Sequence, residues 1–590
     1  MPAALSGILA AVAALATAEL CAALVRPEAR PVTAVGGAVI DRTPIAVKDW
    51  AIRTFGSADK LVLQIGILTL LALFAMAIGL LALRSLRLGA AGAACFGVFG
   101  AVTATGRPEG SAPDAVPSLV GGVAAVAVIV VLIRALRPVT GPVLVAPDAA
   151  GPRPAGDGGG EPGGAARPSV PADHEESAEP APSPEDGTQE DGTDADGTRQ
   201  STRGGPAPDG EGVGTTSSPV TTRRVLAPFD RRRFLRAASV AAAASAGAGL
   251  VGQRLLRSGD AEAEAAREAL TIPRPTDPAA PLPPGADLEV DGLSSFTTPN
   301  KDFYRVDTAL RVPRLDATTW RMRIHGRGVE RELELDYRDL LDRELIERDI
   351  TLTCVSNQVG GPYVGNARWI GVPLAELLRE AGVRPPSEGG PADQLVARSV
   401  EGMTLGSPVE TVMDGRDAML AVGMNGEPLP FRNGFPVRMV VPGLYGYVSA
   451  CKWLSELELT TFDDFDVYWV ERDWAAEAPV KTQSRIDTPR GFATIGAGTV
   501  PVAGVAWAQH TGIERVEVRV DGGEWQEAQL APAPSEDTWR QWRWDWEAEA
   551  GSHRLEVRAT DRSGETQTEE RVGTVPDGAT GWHSAVVTVE

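Results

Sequence analysis

Histidine and cysteine are both scarce in this sequence. Five histidines, His174, His325, His510, His553 and His583, stand far apart with no HExxH pattern, so a histidine-built metal site has little to draw on. Four cysteines, none in a CxxC pair, exclude a disulfide framework, a four-thiolate zinc site and an iron–sulfur cluster. There is no CxxCH, and no histidine falls in the long apolar segments, so this chain has the means for neither covalent haem nor bis-histidine haem b. Cations are outnumbered, 56 Lys and Arg against 78 Asp and Glu for a net charge of −22, which argues against a nucleic-acid binder. Aromatics make up only 5% of 590 residues, a length that calls for several domains rather than one core.

What the chain does have is apolar runs at its start. Segments from about Ala3 to Val25, Leu61 to Leu83, Leu88 to Thr105 and Val116 to Leu136 each approach the roughly 20 residues that cross a bilayer. They read as four spans over 1–137. The first run is too long for a signal-peptide core and has no basic residue before it, although a signal peptide is the alternative reading. Arg84 with Arg87 and Arg134 with Arg137 close the second and fourth spans, which puts those ends and the N-terminus in the cytoplasm. The first connection, with Arg26, Arg30, Arg42, Lys48, Arg53 and Lys60, disagrees if charge alone is counted.

Residues 138–230 are Gly, Pro, Asp, Glu, Ser and Thr with few large apolar side chains, and are expected to form a disordered acidic linker. Arg231-Arg232-Arg233-Phe234-Leu235 and the small apolar run Ala237 to Gly252 follow, the layout of a twin-arginine export signal inside a fifth span over 231–256. A basic cap on an ordinary span is the simpler alternative. Four spans return the chain to the cytoplasm, where that export machinery finds its signal, so the remainder is expected outside the cell membrane. A charged, then Pro-rich stalk is expected over 257–285.

The rest reads as α+β followed by all-β. Trp320 to Gly326 and Asp349 to Val355 are expected as strands, Leu374 to Glu380 as a helix stopped by Gly382, Pro436 to Pro442 as a buried strand, and Lys452 to Thr460 as helix or strand. After about Pro479, short strands at Thr499 to Ala508, Val516 to Val520, Trp525 to Gln529, His553 to Thr560 and Ser584 to Val589 suit a β-sandwich, with Trp507, Trp525, Trp539, Trp542 and Trp544 as core candidates. Cys354 ends a strand before a Gly-rich loop; on the residues alone it is a buried structural thiol.

Several motifs, TPNKDFYRVDT (Thr298 to Thr308), TLTCVSNQVGG (Thr351 to Gly361), NGEPLP with NGFPVRMVVPGLYGY (Asn425 to Tyr447), KWL (Lys452 to Leu454), then SRIDTPR, AGVAWA and VRVDGGEW, resemble the sulfite oxidase family of molybdopterin-dependent oxidoreductases. The resemblance implies a catalytic domain over 286–478 and an Ig-like dimerisation domain over 479–590, hence a two-fold homodimer. It implies molybdenum-molybdopterin as cofactor, with Cys354 as metal ligand and catalytic residue, and Asn300, Phe303, Tyr304, Arg305, Ser399, Asn433, Arg438, Ser449 and Lys452 holding the pterin and its phosphate. A soft thiolate suits a redox-active metal, and Arg and Lys suit phosphate. Cys451 is expected to be structural and His325 an ordinary strand residue.

Two departures bear on substrate. Sulfite-oxidising members of that family carry a tyrosine where this chain has Val422 and an arginine where it has Val359. Their loss points away from sulfite and toward the exported bacterial branch that includes the methionine-sulfoxide reductase catalytic subunit, so that oxygen-atom transfer on a small S-oxide or N-oxide type substrate is expected, with oxidation of another small substrate, sulfite included, as the alternative. Electrons are expected to be exchanged with a separate protein or a diffusible acceptor. A non-catalytic surface module that keeps the fold is the competing class, and retention of Cys354, Arg438 and Lys452 argues against it.

Overall fold

A computed structural model describes residues 1–137 and 231–590, except 27–28, 44–46, 48–53, 55–58, 108–109 and 310. The expected linker over 138–230 lies outside the described residues. Among the described residues, five helices are long and apolar enough to cross a membrane: Pro2–Val25, Leu61–Arg84, Leu86–Thr105, Ala112–Leu136 and Arg231–Glu268. Small residues let them approach closely, which replaces the hydrophobic drive absent between helices in lipid. A Cβ on Gly7 would sit 1.8 Å from the Ala75 carbonyl oxygen, and one on Gly97 would sit 2.8 Å from the Gly122 Cα. The first connection holds an unforeseen helix, Pro31–Arg42.

The expected stalk is corrected at its start. The helix that begins at Arg231 continues without a break to Glu268, and its last turns are tied to the sheet-rich part that follows. Arg267 donates to the Pro428 carbonyl at 2.8 Å, Arg311 pairs with Asp260 at 2.6 Å, and Arg314 pairs with Glu264 at 2.6 Å. Farther on, Thr276 donates its N–H to the Leu345 carbonyl and Asp277 bridges the edge residue Ile346. The charged residues read as a solvated stalk are instead the helix face that meets partners distant in sequence.

Two sheets share the next core. One orders Leu333–Asp336, Arg321–Gly326, Leu454–Thr460, Gln394–Ser399 and Thr404–Pro408, with Arg321–Gly326 parallel to Leu454–Thr460. The other orders Ile346–Thr353, Val364–Pro373, Met419–Met424 and Glu427–Pro428, with Arg438–Val440 also paired to Met419–Met424. Trp369, Leu374, Leu377, Val422 and Met439 are fully buried among them. The Leu374–Glu380 helix forms as expected, and Gly382 adopts φ 82° after it. The buried strand expected over Pro436 to Pro442 is only Arg438–Val440, because the chain then turns into the Gly446–Ser449 helical turn.

Two further sheets close the chain, one of Gln483–Thr488, Gly498–Trp507, Arg540–Ala548 and Gln529–Leu530, the other of Thr494–Ile495, His583–Val589, Gly551–Asp561, Ile513–Val520 and Gln526–Glu527. Ile486, Val502 and Trp542 of the first meet Val516, Val518, Val557 and Val587 of the second. Arg540–Ala548 was missed as a strand, although Trp542, Trp544 and Trp546 alternate along it. Of the candidate core tryptophans, Trp507, Trp539 and Trp542 are buried. Trp544 is half-buried, and so is Trp525, where Arg519 and Arg558 cover its ring at 4.5 and 4.3 Å. Trp507 and Trp539 do not sit in this core; they join Phe296 and Val364 in a separate cluster against the preceding sheets.

Candidate active site

The strand Ile346–Thr353 delivers Cys354 to the head of a loop that turns at Gly360, φ 77°. The loop is held from both sides. Cys354 N–H donates to the Tyr363 carbonyl at 2.9 Å, and Tyr363 N–H donates to Asn357 Oδ1 at 2.8 Å. From the C-terminal sheets, Gln509 donates to the Thr351 carbonyl at 3.0 Å and to Thr353 Oγ1 at 2.9 Å, while Arg485 donates to the Gly361 carbonyl at 2.9 Å. Gly360 packs directly on His583, where a Cβ would lie 2.1 Å from the ring.

His583 is therefore a neutral spacer. Its Nδ1 accepts the Ile486 N–H at 3.0 Å, and burial, then the Arg485 charge, pull its pKa down from 6.5 to about 4. The unfolded chain binds a proton below pH 6.5 that the folded chain refuses until about pH 4. Stability should be level above about pH 6.5 and fall as pH drops toward 4, by about 3 kcal/mol from this group. Urea unfolding of the detergent-solubilised chain at pH 4.5 and 7, with and without His583→Gln, checks this: the variant should lose most of the difference.

Cys354 is 7% exposed, and burial pushes its thiol pKa up against hydrogen bonds from Ser356 and the charge of Lys452. It opens into a cavity of about 350 Å³. Tyr304, Ser399, Arg438 and Lys452, all foreseen, line that cavity with it. Leu63, Thr43 and Val47 reach the same cavity from the N-terminal helical part. Arg438 is 6% exposed, its guanidinium 5.2 Å from the Trp369 ring centre; burial lowers its pKa to about 10, so it remains a cation at neutral pH. Burial likewise lowers Lys452 to about 8, despite its 2.7 Å ion pair with Asp307.

The other five foreseen residues stand behind the wall. Phe303 is core, stacked on Tyr304 at 5.2 Å and edge-on to Trp369 at 5.8 Å. Arg305 is paired with Asp307 at 2.6 Å. Asn300 bonds Glu427 and the Met424 carbonyl and accepts from Asn425 at 2.8 Å. Asn433 is buried and its carbonyl accepts from Arg438 at 3.2 Å. Ser449 commits its hydroxyl to the Leu444 and Tyr445 carbonyls, which shapes the Gly446–Ser449 turn. Cys451 is buried beside the cavity, its thiol pushed up to about 12 by burial. His325 is held by Glu456 on a strand face. Sequence reasoning missed Asp307, two residues past Arg305 in a motif it had singled out, and the aromatic group Tyr447, Tyr468, Trp469 and Trp474.

A buried thiol, two buried cations and an unmet hydrogen-bonding atom suit a phosphate-bearing, metal-binding pterin. Arg438 Nε, on the cavity wall, is buried with no hydrogen-bond partner among the described residues, a cost of about 1–3 kcal/mol that such a ligand would offset. Residues 309–469 match the family described as oxidoreductase molybdopterin binding domain. Residues 309–469 are thus similar to the molybdopterin-binding domain of the sulfite oxidase family.

The match supports molybdenum-molybdopterin as the cofactor of this domain. Similar proteins include mitochondrial sulfite oxidase of Rattus norvegicus, 30% identical over 294 residues, covering 43% of this chain and 53% of that protein. Mitochondrial sulfite oxidase of Homo sapiens is 29% identical over 304 residues, covering 45% and 55%. The chain thus spans about half the length of the curated relatives it matches. Among solved structures, the sulfane dehydrogenase SoxCD from Paracoccus pantotrophus aligns with TM-score 0.43 and 24% identity, over 52% of this chain and 86% of that one.

Proposed function

We propose that the chain is a membrane-anchored, extracytoplasmic molybdopterin oxidoreductase that transfers an oxygen atom from a small, neutral S-oxide or N-oxide. The observation that carries this reading is the placement of Cys354, Arg438, Lys452 and Asp307 on one cavity. Cys354 would be the protein ligand of molybdenum, Arg438 and Lys452 the charge partners of the pterin phosphate, and Tyr304, Asn300, Asn433 and Ser399 their support. When bound, the cofactor supplies the two-electron change and the oxygen-accepting metal. For a sulfoxide the balance is one sulfoxide, two electrons and two protons giving the sulfide and one water, with electrons from a separate redox protein or a diffusible carrier.

The residues of the chain do the rest. Asp307, on the cavity wall, holds Lys452 and Arg305 in place and offsets part of their positive charge. Val422 is fully buried in the core, and neither it nor Val359 brings a polar group to the cavity. Sulfite oxidation is the second reading, favoured by the cations Arg438 and Lys452 and by the names of the relatives.

Five described helices long and apolar enough to cross a membrane support the anchoring. Arg26 pairs with Asp114 at 2.8 Å and Arg30 with Glu19 at 2.6 Å, so two cations that counted against an outside first connection are neutralised. Arg231 to Arg233 would address the twin-arginine machinery, and the paired C-terminal sheets would be an Ig-like module that joins two copies. To test the central claim, the full chain is made in a host that supplies the pterin. Near one molybdenum per chain, with reduction of dimethyl sulfoxide or trimethylamine N-oxide by a reduced viologen dye, is the expected result. Metal-loaded protein that oxidises sulfite and reduces neither oxide would sink the reading.

A further inference from the structure

One wall of the cavity carries none of the residues assigned above to the cofactor. Tyr447, Tyr468, Trp469 and Trp474 line it. Their rings interlock: Trp474 meets Tyr447 at 5.7 Å and Trp469 at 6.0 Å, and Trp469 meets Tyr468 edge-on at 5.0 Å. The Tyr447 hydroxyl donates to the Ala475 carbonyl at 2.6 Å. Trp474 is different. It is 6% exposed, and its indole N–H is buried with no acceptor among the described residues.

Among the described residues, four of the eight buried tryptophans have an acceptor for the indole N–H. The indoles of Trp320, Trp369, Trp453 and Trp539 donate to the carbonyls of Leu454, Ile350, Phe431 and Phe296. Of the others, Trp507 and Trp542 are packed in apolar clusters and line no part of this cavity. A buried donor left unmet is costly, so a ligand that brings an acceptor to it gains what the protein alone forgoes. An indole offers one neutral donor. That matches the single oxygen of a neutral oxide better than the three charged oxygens of an oxyanion.

We infer that Trp474 determines specificity in this site, donating its indole N–H to the oxygen of a neutral S-oxide while Tyr447, Tyr468 and Trp469 pack the apolar substituents. The inference rests on the oxide-reductase reading and narrows it. Aryl alkyl sulfoxides, with a ring to stack on the wall, are the substrate class. Dimethyl sulfoxide fits the same donor with little to offer the rings.

The test uses the full-length, metal-loaded enzyme with reduced viologen dye and methyl phenyl sulfoxide or dimethyl sulfoxide. Trp474→Phe keeps the ring and removes the N–H. It should lower kcat/KM for methyl phenyl sulfoxide by about 10- to 100-fold at unchanged molybdenum per chain. Product inhibition by methyl phenyl sulfide, which has the ring and lacks the oxygen, should stay within about twofold of wild type. Trp469→Leu should raise KM for the aryl substrate and leave that for dimethyl sulfoxide unchanged. If Trp474→Phe weakens sulfide and sulfoxide alike, or changes neither, the residue only packs and the inference is overturned. If wild type reduces no oxide at all, the functional reading fails first and takes this inference with it.

Discussion

Replacing Cys354 by serine is expected to give a folded protein with less than about 1% of wild-type turnover and little bound molybdenum, because losing a ligand outweighs the 10- to 100-fold cost of losing its supporting partners. Serine differs by one atom, fits the 7% exposed position, and can keep the backbone bonds to Tyr363 and Asn357 that hold the loop. What it lacks is a soft, polarisable anion; a hydroxyl is a harder and far more weakly acidic ligand. Elemental analysis beside a urea unfolding curve separates the outcomes. Loss of metal at unchanged midpoint supports ligation by Cys354. Retention of metal and turnover would remove it from the site and return it to the structural thiol suggested by its burial alone.

Asp307→Ala is expected to be the largest perturbation of stability, roughly 3 kcal/mol in the metal-free protein, because it strands buried cations. Side-chain exposures of 6% for Asp307 and 11% for Lys452 make that pair the dominant loss; Arg305, at 25%, is better solvated and contributes less. Asp307→Asn keeps the shape and one acceptor while removing the charge, so it should fall between the alanine variant and wild type. The two variants also test substrate selection. With the carboxylate gone, the wall carrying Lys452 and Arg438 becomes more cationic, and sulfite should compete with the oxide at lower concentration. Unchanged stability in Asp307→Ala, measured by denaturant midpoint with the cofactor withheld, would show that the cations find solvent elsewhere.

The sequence carried more of the site than of the architecture around it. Cys354, Tyr304, Ser399, Arg438 and Lys452 were named through short motifs that resemble a known family, and all five line one cavity. Asp307 and Trp474 were not singled out. An acid beside an arginine looks like a solvated pair, and a tryptophan among tryptophans looks like core; only neighbours at other points in the chain make them part of a wall. The Arg231–Glu268 helix shows the same limit. Its apolar run was readable by composition, but its continuation depends on Arg311, Arg314 and the Pro428 carbonyl, distant residues that no local pattern names.

By itself the sequence determined the apolar helices, since hydrophobic length is a property of a residue and its near neighbours, and its short motifs carried the resemblance that implies the cofactor class. Tertiary structure alone decided that the C-terminal sheets hold the Cys354 loop, through Gln509, Arg485 and His583, more than 120 residues away from it in sequence. The reason is geometric. A hydrogen bond or a ring against a glycine acts over a few ångströms, and which distant segments come that close is set by the packing of whole sheets.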